Sequence, residues 1–70
     1  MALETFVLYR FGPDGTYEAK EFFEGEKALV EAAGLAVGTG EFPEIRGTDL
    51  LDRLVLRIVD GEVVFPALNN

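Results

Sequence analysis

Between Leu54 and Phe65 the chain reads LVLRIV-DG-EVVF, two β-branched apolar runs on either side of Asp60-Gly61. An Asp-Gly pair between such runs is the strongest short-range signal for a β-hairpin. A two-residue type I′ turn needs positive φ at both central positions, which Asp tolerates and Gly adopts freely. The turn predicts a register that opposes Val59 to Glu62, Ile58 to Val63, Arg57 to Val64 and Leu56 to Phe65. One face of the hairpin then carries Leu54, Leu56, Ile58, Val63 and Phe65, all apolar. A type I turn with a bulge at Gly61 would set Ile58 against Glu62 instead. A one-residue slip turns a strand over, so the apolar match selects the two-residue turn. Pro66 has no N–H to give and closes the ladder near Phe65.

The hairpin needs something to pack on, and the chain is short. Seventy residues make one domain, residues 1–70. A chain of this size buries only about 60% of its unfolded surface, and a single core supplies roughly 3–5 kcal/mol. With no cysteine there is no disulfide and no thiolate metal site; with no histidine the commonest metal ligand and neutral-pH base are gone. Added stability must come from packing, well-formed turns or self-association. Six basic and thirteen acidic residues give a net charge of −7. Such a surface repels phosphate backbones and anionic lipid, so no direct nucleic-acid or membrane partner is expected, and a basic protein partner is compatible. The first eleven residues lack a basic region and a cleavage pattern, and no apolar run approaches the ~20 residues of a membrane span. The expected location is the cytoplasm. Gln, Cys, Ser, His and Trp are absent, Asn occurs only at the end and Met once. That depletion predicts a thermophilic bacterial or phage source.

Upstream of the hairpin, Leu3 to Phe11 reads as a strand with apolar residues on both faces. Gly12-Pro13-Asp14-Gly15 predicts a type I turn with Gly15 left-handed. It sets Phe11 opposite Tyr17, Arg10 opposite Glu18 and Tyr9 opposite Ala19. Thr16 to Phe23 follows as a strand with Tyr17 and Ala19 facing in and Thr16, Glu18 and Lys20 facing water. Glu24 to Gly34 is the one convincing helix: Gly25 as N-cap, Glu26 at the positive end, Gly34 just past the C-terminus. Its packing face is Ala28, Leu29, Ala32 and Ala33. Glycines and Pro43 interrupt residues 35–47, with a short edge strand at Glu44 to Arg46. Thr48 to Arg53 reads as a tight connection into the last hairpin.

None of the residue groups suited to chemistry forms a recognisable motif. The Gly38-Thr39-Gly40 run leads into Glu41 and Pro43, whereas a phosphate loop ends in Gly-Lys-Ser/Thr and opens a helix. Glu18, Glu21, Glu24, Glu26 and Glu31 are dense, but their order fits no calcium loop, and a solvated acidic face explains them. Tyr9, Tyr17, Arg10 and Arg57 are the remaining groups able to act as acids, bases or anion ligands. With no Ser, Cys or His nucleophile and little room for a pocket, no enzyme, cofactor or metal is expected.

The residues predict an α+β fold in the order ββαββ, with one extra short strand before the last hairpin. Two antiparallel hairpins form one sheet and the helix covers one face. If Val7, Tyr9 and Phe11 join the hairpin's apolar face under the helix, the other face presents Phe6, Leu8, Val55, Val59 and Val64. Reversing the first strand exchanges its trio for its pair. Either way an apolar face is left over, and a two-fold dimer or residues 35–47 would cover it. The function expected is that of a small acidic non-enzymatic interaction module or regulator, self-associating as a dimer. The alternatives are a small-molecule-binding domain or enzyme using carboxylates and tyrosines, and an acidic phage- or plasmid-borne inhibitor of a basic nucleic-acid-binding protein. Gly15, Asp60 and Gly61 are the turn residues on which this fold depends.

Overall fold

The computed structural model describes residues 3–66. The elements run β1 (Thr5–Phe11), β2 (Tyr17–Glu24), α1 (Glu26–Thr39), β3 (Glu44–Asp49), β4 (Leu54–Val59) and β5 (Glu62–Phe65). The strands form one antiparallel sheet in the order β2-β1-β3-β4-β5. This is the α+β arrangement expected from the sequence, ββαββ with one strand added. The added strand, β3, is not at an edge: it lies in the middle, paired to β1 on one side and β4 on the other. Its charged residues and Gly47 hide it in the sequence. Gly47 is there because the helix comes close. A Cβ at this position would stand 3.0 Å from Cδ2 of Leu29, whose side chain is fully buried.

The final hairpin turns at Asp60 and Gly61, with φ of 50° and 81°. Val59 opposes Glu62 and Ile58 opposes Val63. The register then shifts, and Arg57 opposes Phe65 rather than Val64. The expected Leu56–Phe65 pair is therefore absent, and Leu56 opposes Gly47 on its other side. In the first hairpin Gly15 has φ of 86° and Phe11 opposes Tyr17. Beyond that pair β2 holds one extra residue, Glu18, so Arg10 opposes Ala19 and Tyr9 opposes Lys20. A bulge of this kind moves every later side chain to the other face. It separates Tyr17 from Ala19, which regular alternation would put on one face.

Helix α1 opens at Gly25, whose N–H donates to the Glu4 carbonyl at 2.7 Å. It runs through Gly34 and ends at Gly40, in the left-handed region, whose N–H donates to the Val37 carbonyl at 3.1 Å. Gly34 is thus interior, and the expected stop there is replaced by another turn and more. Leu29, Ala33 and Ala36, at i, i+4 and i+7, face the sheet and are buried. That stripe outweighs the glycine's weak helix propensity. The core joins them to Phe6, Leu8, Ile45, Leu56 and Ile58.

Phe6 and Leu8 therefore do not belong to the uncovered face: they are 6% and 1% exposed beneath the helix. Val7, Tyr9 and Phe11 take the other side of β1. Of the remaining three candidates for that face, Val55 sits at a register shift and packs against the core. Val59 is half-buried and Val64 is exposed at the β5 bulge. The β3–β4 connection is held by Asp49. Its Oδ1 accepts from the Leu51 and Arg53 N–H groups at 2.9 Å each, and its Oδ2 accepts from Arg53 Nε at 2.6 Å. These N–H groups, the Arg53 one foremost, hold the Asp49 carboxyl below its ordinary pKa.

Candidate interaction face

No described element covers the sheet face opposite α1. The registers arrange its side chains in rows across the strands. The first row is Tyr17, Phe11, Glu44, Val59 and Glu62. The second is Lys20, Tyr9, Arg46, Arg57 and Phe65. The third is Phe22, Val7, Thr48 and Leu54. Half of the chain's six cations stand in the second row.

These cations are already engaged within the chain. Arg46 and Arg57 both donate to Oε2 of Glu44, Arg57 from Nε at 2.8 Å. The Arg46 guanidinium also lies 4.9 Å from the Phe11 ring centre. Lys20 Nζ lies 5.6 Å from the ring centres of both Tyr9 and Phe22. Cation–ring contacts at this range are attractive. Between its two arginines, Glu44 is held below the ordinary glutamate pKa, by the Arg57 hydrogen bond first and the Arg46 bond second.

Tyr9, Phe11 and Tyr17 form a connected aromatic cluster. Tyr9 and Tyr17 meet edge-on at 5.2 Å, and Phe11 and Tyr17 at 6.2 Å. Such edge-to-face pairs suit the ring quadrupoles. Phe22, Tyr17, Phe65 and Leu54 stay 60%, 55%, 41% and 39% exposed. Beneath them Val7 and Thr48, on the central strands, are nearly buried. The Thr48 hydroxyl is the one buried side-chain polar atom without a hydrogen-bond partner among the described residues. Two shallow clefts, of 320 and 300 Å³, flank Arg46 and share Thr48 and Asp52.

Of the groups singled out for chemistry, Tyr9, Tyr17 and Arg57 come together here, whereas Arg10 lies on the helix side and pairs with Glu21. Glu18, Glu21, Glu24, Glu26 and Glu31 do not converge, and among the described residues no three acidic groups are placed to share a metal ion. Phe22, Arg46 and Leu54 were not anticipated on this face, whereas Phe11 belongs with Val7 and Tyr9 to the alternative in which the first strand is reversed. The alternation Val7, Tyr9, Phe11 was the available signal for one half of the face; the other half depends on the Glu18 bulge. No helix among the described residues is long and apolar enough to cross a membrane. Comparison with family models, with curated proteins and with solved structures finds no match for this chain.

Proposed function

We propose that this chain is a small non-enzymatic interaction module that pairs with a second copy of itself through the uncovered sheet face. The observation that carries the reading is the chemistry of that face: exposed Tyr17, Phe22, Leu54 and Phe65 surround cations engaged within the chain, Arg46 and Arg57 by Glu44 and Lys20 by aromatic rings. Aromatic residues and arginine are the types enriched at the centres of protein interfaces. A nucleic-acid platform would hold its cations free for phosphate. Among the described residues, only Lys20 of the three lacks a carboxylate within salt-bridge distance.

Charge distribution favours a second copy. Glu26, Glu31 and Glu41 are exposed on or beside α1, behind the sheet. Face-to-face pairing keeps those acidic surfaces apart, which limits the repulsion between two chains of −7 each. Glu44 also points away from catalysis. A general acid at neutral pH needs a raised carboxyl pKa, whereas Glu44 is shifted down.

Sedimentation velocity at micromolar concentration tests the pairing. The expected result is a dimer for the native chain and a folded monomer for Phe22→Glu. Val30→Glu, the same charge change at a half-exposed helix position, should remain dimeric. A native monomer, or equal behaviour of the two variants, would overturn the reading.

A further inference from the structure

On the helix side of the sheet, a cleft of 570 Å³ runs between α1 and β2. It exists because small residues face each other: Ala19 on the strand, Ala32 and Ala36 on the helix. Phe23 contributes apolar surface, and Phe42 lines the cleft with the Arg10 guanidinium 5.7 Å from its ring centre. Leu35 lines the cleft while 77% exposed, a large apolar side chain left in water. The charged groups of the lining are Arg10, Glu18, Glu21 and Glu41. Arg10 is bonded to Glu21. Glu18 and Glu41 have no cation within salt-bridge distance among the described residues.

We infer that this cleft takes a basic, apolar peptide segment of another protein. Its large apolar side chains fill the space above the alanines and against Leu35, and its lysines or arginines meet Glu18 and Glu41. The volume lies within the ~300–1,000 Å³ of ligand clefts, and laying an amphipathic segment into such a groove is a common recognition mode. Charge selects the occupant. A second copy of this chain, at −7, is repelled by the acidic rim, and so is an anionic lipid or nucleic acid. A basic segment is drawn in from a distance by the same field. This goes beyond the pairing proposed above and uses the opposite side of the molecule, so both can hold in one assembly.

The test uses two synthetic 14-residue peptides of equal positive charge, one alternating lysine with leucine at helical spacing, the other lysine with serine. Each is titrated into the isotopically labelled full chain while amide shifts are followed. The leucine peptide should bind and shift Ala19, Ala32, Ala36 and Phe42, while the serine peptide binds at least tenfold more weakly. Leu35→Ser changes no charge at an exposed position, so the fold survives it, and it should weaken the leucine peptide about tenfold. Equal binding of the two peptides would overturn the inference, as would shifts confined to Tyr9, Phe22 and Phe65 or an unaffected Leu35→Ser variant. These readouts do not depend on whether the chain is monomer or dimer.

Discussion

Individual positions differ sharply in how much of their role their own neighbours reveal. Asp60 and Gly61 were readable because a two-residue turn is decided by the residues in it. At φ of 81°, Gly61→Ala would force a Cβ into the left-handed region, costing about 1 kcal/mol. The melting midpoint should fall by about 5 °C, and an unchanged midpoint in a thermal scan would contradict this conformation. Glu18 was not readable. Nothing in its surroundings distinguishes an unpaired bulge residue from an ordinary strand residue, yet it decides which face Phe22 joins. Glu44 was also opaque, because its two arginine partners come from its own strand and from β4. Its carboxyl is shifted down in the folded chain, so it favours folding above the ordinary glutamate pKa of about 4.3. That contribution is lost as the pH falls through the depressed folded value. Between pH 6 and pH 3 the native chain should therefore lose more thermal stability than Glu44→Gln. Parallel losses in the two proteins would show that the pairing adds nothing.

Elements were legible where their signal is periodic and local. The two hairpins and the start of α1 follow from turn residues and the Gly25-Glu26 opening. The end of α1 does not, because Gly34 reads as a stop and only packing on the sheet carries the helix onward to Thr39. This makes a clean test. A Cβ at Gly34 meets nothing within 4 Å, and its φ is not left-handed. Replacing an interior helical glycine by alanine gains roughly 0.5–1 kcal/mol. Gly34→Ala should raise the melting midpoint by several degrees, whereas a true helix end at Gly34 would make the change neutral or harmful. Strand β3 was nearly invisible because its inner face alternates Ile45 with Gly47, a residue that weakens strand propensity but admits Leu29. Its central position comes from pairing with β1, across more than thirty residues of chain, which no local pattern encodes.

At the scale of the molecule the decisive question is which side of each strand meets the helix. An apolar remainder was evident from composition: β1 is apolar on both sides, and one helix covers one face. Which residues form that remainder was not evident, since the orientation of β1 sorts Phe6 and Leu8 inward and Tyr9 and Phe11 outward, and the Glu18 bulge brings both Tyr17 and Phe22 to the outer side. The resulting body separates a compensated aromatic face from an acidic helix side, and the proposed dimer follows from that separation. The most direct measurement is an isotope-filtered NOE experiment on a mixture of labelled and unlabelled chains. Pairing through the open face predicts contacts between chains among Tyr17, Phe22, Leu54 and Phe65. Contacts between chains at Val30 and Leu35 instead, or none at millimolar concentration, would contradict it.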